Sequence, residues 1–368
     1  MPRPRLPKLP ESIEEAAEWY MRYISPLTLV AALLIDTFFL LRRVDTLLTS
    51  LVLFFYLALA SSISLVISLI QTGRLQQWWL LKVTPVLPVV SQYAFGGLFI
   101  AFLSLYSRSA AFSLSWIFVA VIALLLIANE RFVRFYLRFA FQMSILFIAL
   151  FSFLIFYVPL LFGRIGPYMF VASGLTSLII IAAFLVVQSF VMPELRRELT
   201  PIARSIGAIF VVFNVLYFTN AIPPLPLALK DGGVYHTVER VGDEYQLLAE
   251  PVEWYEGYLR YNTVFHAAPG EIAYVYTSIF APTGLSTAVS HEWQWYDDTR
   301  DKWVTEQVIP YTIVGGRERG YRGYSINTRL REGRWRVNVV TEFGQLIGGV
   351  SFRVVNVAEP VPVEVVVR

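Results

Sequence analysis

Long apolar runs fill the first part of the chain and stop near residue 220. A helix needs about 20 residues to cross the hydrocarbon core of a bilayer, and seven of the runs reach that length when their flanks are included. They cover residues 27–41, 47–70, 86–105, 112–128, 145–162, 168–192 and 206–219. The pattern therefore predicts an α-helical polytopic membrane domain of about seven transmembrane helices at residues 24–221. The first and last runs are the shortest.

From residue 232 onward, apolar and polar positions alternate with the period of a β-strand. The strand-like segments are separated by turn residues, such as Gly242-Asp243 between two predicted strands. In the segment RWRVNVVT, Trp335 falls on the apolar face, and Arg334 and Arg336 fall on the polar face. The pattern predicts an all-β, immunoglobulin-like antiparallel sandwich at residues 232–368. A proline-rich linker at residues 222–231 joins it to the membrane domain.

Lysine and arginine in the short loops predict the orientation of the chain. Twelve of them lie on the side of the N-terminus and four lie on the other side. Because cytoplasmic loops carry the excess of positive charge, the first side is expected to be cytoplasmic. The polar segment 1–23 is then a cytoplasmic amphipathic segment, and an odd number of spans places the β domain outside the cytoplasm.

Composition agrees with a membrane protein and narrows the chemistry. The chain is 56% hydrophobic and 15% charged, and its mean hydropathy is +0.58. It contains no cysteine, which excludes disulfides and thiolate catalysis. The net charge of +3 is small, and the basic residues lie between the apolar runs, so no nucleic-acid partner is expected. No motif for a catalytic centre, a metal or a cofactor is recognisable, and none is predicted.

Polar residues within the apolar runs have two interpretations. Asp36 is either an ion or proton site or a carboxylate that reaches the nearby interface. Arg131, Arg134 and Arg138 recur at helical spacing and either bind a lipid phosphate or serve as ordinary inside-positive anchors. Four scattered amides are expected to hydrogen-bond between helices; they are Gln92, Gln142, Gln188 and Asn214. Gly96-Gly97 and Gly174 are candidate positions for close helix packing.

The second half of the β region contains a series of short motifs with a recognisable order and spacing. They are His291-Glu292-Trp293, Gly315-Gly316, Gly320-Tyr321-Arg322-Gly323-Tyr324-Ser325, Gly333-Arg334-Trp335-Arg336-Val337, Gly344-Gln345 and Phe352. This stretch resembles an uncharacterised bacterial membrane-protein family with a C-terminal domain of unknown function 2914. The resemblance implies an architecture of membrane domain and β domain. It implies no activity, because the family has none established.

Five residues of the β domain are candidates for binding a ligand or partner. His291, Trp293 and Trp295 alternate along one predicted strand, and Arg322 and Tyr324 share a face of another. Together they are a possible platform for stacking on a sugar or holding an anionic group. The alternative is that the aromatic residues form the core of the sandwich and Arg322 makes a structural ion pair.

The sequence predicts a bacterial inner-membrane protein without enzymatic activity. Its membrane domain would anchor an extracytoplasmic, periplasmic sandwich that binds a protein partner or an envelope glycan in an accessory role. The alternative is a transporter, or an enzyme for lipid-linked substrates, that uses Asp36 or the stripe formed by Arg131, Arg134 and Arg138.

Overall fold

A computed structural model of the protein describes residues 47–78, 82, 84–109, 112–131, 138–193, 195–251 and 263–368. Its first part is helical and its last part consists of β-strands. The described part contains six α-helices, which are α1 (Leu47–Gln71), α2 (Leu87–Ser109), α3 (Phe112–Arg131), α4 (Phe139–Phe162), α5 (Pro167–Val191) and α6 (Leu195–Phe218). A short 3₁₀ turn at Thr84–Val86 precedes α2.

Five of these helices are long and apolar enough to cross a membrane. The candidate spans are Leu48–Gln71, Leu87–Ser107, Phe139–Phe162, Pro167–Val191 and Glu198–Phe218, and Trp116–Asn129 is a shorter apolar helix. These helices confirm the prediction of a membrane-embedded region. The predicted run 27–41 lies outside the described residues, so a count of seven helices stays a prediction. Helix α6 begins well before the run predicted at 206–219, because residues such as Arg197 and Glu198 end an apolar run but are good helix formers.

Small and polar residues mediate contacts between the helices. Ser64 Oγ donates a hydrogen bond to Gln142 Oε1 at 2.6 Å, which confirms an interhelical role for that glutamine. At Gly174, an added Cβ would approach Phe210 to 2.9 Å and Phe151 to 3.0 Å. Two aromatic side chains thus occupy the space that a side chain at residue 174 would need, and small residues at such contacts are typical of helix association in membranes.

The described residues of the β region form eleven strands in three sheets. The strands are β1 (Ala228–Tyr235), β2 (Thr237–Val241), β3 (Glu244–Ala249), β4 (Val264–Ala267), β5 (Ala273–Phe280), β6 (Ser286–Asp297), β7 (Lys302–Val314), β8 (Tyr321–Asn327), β9 (Gly333–Thr341), β10 (Leu346–Asn356) and β11 (Glu364–Val367). The orders are β1-β5-β8, β4-β10-β9-β6-β7 and β11-β3-β2. We call these the three-stranded sheet, the five-stranded sheet and the hairpin sheet.

Apolar side chains pack the sheets against one another in layers. Between the three-stranded and five-stranded sheets lies a buried cluster that joins Val275 of β5 to Trp293, Trp335 and Phe352. The opposite side of the three-stranded sheet packs against the hairpin sheet through a second cluster, which includes Tyr276 and Leu247. The hairpin sheet therefore covers one outer face of the sandwich.

Three features of the β region differ from the prediction. Strand β1 begins at Ala228, inside the segment predicted as a linker, and Leu227 is already fully buried in the core. The single strand predicted before the turn at Gly242 is in fact two strands that meet at His236. The part before His236 belongs to β1 of the three-stranded sheet, and the part after it is β2 of the hairpin sheet. Strand β4 pairs with β10 in parallel, whereas every other pair is antiparallel. A parallel pair is possible because β4 and β10 are distant in the sequence and no hairpin turn joins them.

The chain divides into two compact units. One contains most of the helical residues. The other contains Asn220–Arg368 together with two short segments, Arg108–Trp116 and Pro159–Tyr168.

Candidate functional site

His291 on β6 lies in the core of the sandwich. Its side chain is fully buried and is hydrogen-bonded through Nδ1 to Ser325 Oγ at 2.7 Å. Through Nε2 it is hydrogen-bonded to Tyr311 Oη at 2.8 Å and to Thr277 Oγ1 at 2.9 Å. Burial disfavours the charged imidazolium and lowers the pKa of His291 to about 4. The ring is therefore neutral near pH 7, and it links strands β5, β6, β7 and β8.

Trp293 belongs to the same buried network. Its indole Nε1 donates a hydrogen bond to Ser325 Oγ at 2.9 Å, so Ser325 joins both ring systems. The indole also packs edge-on against Trp335, with ring centroids 6.3 Å apart. The arrangement satisfies polar atoms between two sheets, which is how a buried polar network is tolerated. Because the serine and the histidine are both buried, their contact offers no surface to a substrate.

The other three predicted residues have different surroundings. Trp295 is partly buried at the edge of the core, and its Nε1 donates to the carbonyl of Glu332 at 3.2 Å. Arg322 donates to the carbonyl oxygens of Arg368 at 3.1 Å and Asp243 at 2.6 Å, and so holds the hairpin sheet onto the three-stranded sheet. Tyr324 is 42% exposed.

The five predicted residues do not share one surface. Ser325 points from β8 into the core toward His291, whereas its neighbour Tyr324 points outward, because successive side chains of a strand lie on opposite faces. Arg322 and Tyr324 therefore lie on the far side of the three-stranded sheet from His291 and Trp293. The geometry agrees with the alternative in which the aromatic residues of β6 build the core.

The candidates in the membrane region are described only in part. Asp36 and Arg134 lie outside the described residues. Arg131 is the last residue of α3, and Arg138 is exposed just before α4. The lipid-phosphate hypothesis and the ion-site hypothesis stay predictions.

Two of the three histidines form a cluster with two carboxylates at the edge of the β region. His236 Nε2 lies 3.2 Å from Glu250 Oε1, and its Nδ1 makes a short hydrogen bond with Glu271. Glu250 also contacts His266 Nδ1 at 2.6 Å and accepts from the His266 backbone N–H at 2.7 Å. In the described part of the chain, no group of three or more side chains has an arrangement suited to a metal ion.

Electrostatics within this cluster favour the charged forms. Burial disfavours an imidazolium at His236, but its hydrogen bonds to Glu250 and Glu271 and their negative charges outweigh burial and raise the pKa of His236. Burial acts in the opposite direction on Glu250, and the bonds from His236 and His266 outweigh it and lower the pKa of that carboxyl. The cluster ties the hairpin sheet to β4 of the five-stranded sheet.

The outer face of the five-stranded sheet carries a set of polar side chains that sequence reasoning did not select as a site. We call it the arginine face. It consists of Glu292, Gln294 and Tyr296 on β6, Trp303 and Thr305 on β7, Arg334, Arg336 and Asn338 on β9, and Ser351 and Arg353 on β10, which the strand registers place side by side. The alternation in RWRVNVVT identifies two of the arginines, but only the pairing of β9 with β10 brings Arg353 beside them.

Aromatic rings and an amide hold two of these arginines in place. The guanidinium of Arg334 lies 3.6 Å from the ring centroid of Tyr296, and that of Arg336 lies 4.3 Å from that of Trp303. Arg336 Nε also donates to Gln294 Oε1 at 2.7 Å. Stacking of this kind fixes the plane of a guanidinium and leaves its N–H edges for hydrogen bonds.

Comparison with known proteins identifies part of this region. Residues 286–354 match the model of the family described as "Protein of unknown function (DUF2914)". The chain carries a C-terminal DUF2914 domain. The match begins with β6 and ends within β10. It contains His291 and its partners Tyr311 and Ser325, but not Thr277, and it contains all strands of the arginine face. No curated protein matches the chain.

A solved structure with low similarity covers much of this chain. It is "Pseudomonas fluorescens alkylpurine DNA glycosylase AlkC bound to DNA containing an abasic site analog", with 9% sequence identity and a TM-score of 0.19. The match covers 81% of this chain and 96% of that chain. A similarity at this level assigns neither a fold nor a function.

Proposed function

We propose that this protein is a bacterial inner-membrane binding protein without enzymatic activity. Its N-terminus is cytoplasmic, and its helices anchor an immunoglobulin-like sandwich on the periplasmic side, where the DUF2914 domain binds a partner of the cell envelope. The excess of lysine and arginine on the side of the N-terminus supports this orientation. The five apolar spans support the role of the helical region as an anchor.

The arginine face is the observation that carries the proposed binding role. The hairpin sheet covers part of the outer side of the three-stranded sheet, leaving Tyr324 and Ile326 of β8 exposed, and the motif residues His291 and Trp293 are buried. The arginine face instead exposes Arg334, Ser351 and Arg353 beside ordered aromatic rings. Arginine and aromatic residues are enriched where proteins bind partners, so this face is the binding surface that the geometry supports best.

Photo-crosslinking in living cells tests this role. A benzophenone amino acid introduced at Ser351 would lie at the centre of the arginine face, and one at Ile326 would lie on the exposed side of β8 as the control. We expect a crosslinked product from position 351 and none from position 326. Equal products from both positions, or none from 351, would contradict a binding role for the arginine face.

A further inference from the structure

Two arginines face each other across neighbouring strands of the arginine face. In the antiparallel register of β9 and β10, Arg334 pairs with Arg353. Directly opposed residues of such a pair have Cβ atoms only about 4.5–5.5 Å apart, and like charges at that separation are destabilising. Arg336, two residues along β9 on the same side, adds a third positive charge. The fold alone gives no reason to concentrate positive charge at this position.

The protein compensates this charge only in part. Arg334 Nη2 donates to Asp298 Oδ1 at 2.8 Å, but both side chains are exposed, and exposed pairs contribute little. Within the described ranges, no carboxylate lies within ion-pair distance of Arg336 or Arg353. Glu292, which lies on the same face opposite Asn338, attracts Arg336 only over a longer distance. Other arginines of the domain do have such partners, for example Arg331 with Glu306 at 3.0 Å. Arg336 and Arg353 therefore lie in one cluster of like charge without a directly paired carboxylate among the described residues.

The free hydrogen-bonding groups of Arg336 are already oriented. Its ring contact with Trp303 and its Nε bond to Gln294 fix the side chain, and Gln294 Nε2 in turn donates to Thr305 Oγ1 at 3.1 Å. The two terminal nitrogens of Arg336 have no acceptor among the described residues. An anion that binds them would not need to order the side chain first, and this saves conformational entropy.

The groups around the arginines identify the kind of anion. Asn338 and Ser351 lie on the same face and supply an amide, whose Nδ2 also donates to Gln294 Oε1 at 3.4 Å, and a hydroxyl; these are groups that pair with sugar hydroxyls. Guanidinium groups bind carboxylates through two parallel hydrogen bonds. We propose that the arginine face binds an acidic polysaccharide of the envelope, with Arg336 and Arg353 binding its carboxylates. This assignment rests on the proposed function, because it names the ligand class of the same surface.

Binding measurements on the full chain in detergent test the ligand class. The probes are oligogalacturonate, a carboxylated glycan, with neutral dextran oligosaccharides and poly-glutamate of similar length as controls. We expect binding of oligogalacturonate, no binding of dextran, and weaker binding of poly-glutamate. Equal or tighter binding of poly-glutamate would assign the face to acidic protein segments and overturn the proposal.

A double substitution with a matched control tests the residues. Each charge-assisted contact of this kind is worth roughly tenfold or more in affinity, so Arg336→Gln with Arg353→Gln should weaken oligogalacturonate binding by at least ~100-fold. Arg317→Gln is the control. Arg317 also stacks on an aromatic ring, that of Tyr321 at 4.9 Å, but it lies in the loop between β7 and β8 and not on the arginine face. This variant should bind like the wild type. Equal loss in the control and the double variant would overturn the assignment.

Thermal stability separates binding from a structural role. Arg353→Gln removes one of two opposed positive charges, so its Tm should equal or exceed that of the wild type. A clear fall in Tm would show that Arg353 serves the fold and would contradict the proposal. If position 351 still crosslinks in cells but oligogalacturonate does not bind, only the ligand class is wrong. If both measurements are negative, the proposed function fails as well.

Discussion

Removing the hydroxyl of Ser325 is expected to destabilise the β domain far more than its small volume implies. Ser325 Oγ is hydrogen-bonded both to Trp293 Nε1, at 2.9 Å, and to His291 Nδ1, at 2.7 Å. In Ser325→Ala these two ring nitrogens lose a partner in a region closed to water. A buried polar group left without a partner costs about 1–3 kcal/mol.

The expected loss of unfolding free energy is about 2–4 kcal/mol. Two ring nitrogens lose a partner, which destabilises the fold, and removal of the buried hydroxyl itself offsets a part of that cost. This is a large part of the roughly 5–15 kcal/mol by which a domain is usually stable. Tyr324→Phe is the matched control. It removes one hydroxyl from the neighbouring residue, which is exposed, and should change the stability by less than about 0.5 kcal/mol.

Urea unfolding of residues 220–368, followed by tryptophan fluorescence, measures both changes. We expect this segment to unfold cooperatively as an independent domain, since it contains its own buried clusters. Equal midpoints for the Ser325→Ala and Tyr324→Phe variants would refute the view that the His291 network stabilises the fold.

Further predictions concern the core and the dependence of stability on pH. Trp335→Ala should lower the unfolding free energy of the same segment by roughly 3–5 kcal/mol, because its indole is 1% exposed; a near-neutral effect would show that the indole is not a core residue. His291 has a pKa of about 4 in the folded protein, below its unfolded value near 6.5. Its contribution to the unfolding free energy is therefore fully present above pH 6.5, and on the order of 3 kcal/mol of it is lost as the pH falls from 6.5 to 4. His236 has a raised pKa, so its contribution is present below about pH 6.5 and is lost as the pH rises through the folded value. The urea midpoint of the wild type should therefore fall as the pH rises above about 6.5, and that of His236→Gln should fall less. An equal dependence of the midpoint on pH in the two proteins would contradict the role of the cluster.

The sequence predicted most of the elements but not how the strands pair. Apolar runs located five helices well, since crossing a bilayer requires a long uninterrupted stretch. Alternation likewise located strands such as β9 and β10 within a few residues. It did not show that β4 lies parallel to β10, because the period of a strand carries no information about the direction of its neighbour.

Strand periodicity also could not show that the predicted binding residues of β6 are buried. His291 and Trp293 were recognised as sharing a face, but that face points into the core toward Ser325. Periodicity separates the two faces of a strand without showing which one is buried when both carry polar and aromatic residues. The pairing of Arg334 with Arg353 joins residues from two separate motifs, and only the register reveals it.

The orientation of the β domain is the part of the account on which the others depend, and single-cysteine labelling tests it directly. The chain contains no cysteine, so Glu359→Cys introduces one exposed thiol into the β domain, and Gln76→Cys introduces one into the loop after α1 that is expected to be cytoplasmic. A membrane-impermeant maleimide applied to intact spheroplasts should label the first variant at once and the second only after lysis. Labelling of the Gln76→Cys variant in intact spheroplasts, with Glu359→Cys protected until lysis, would place the β domain in the cytoplasm and contradict the proposed function.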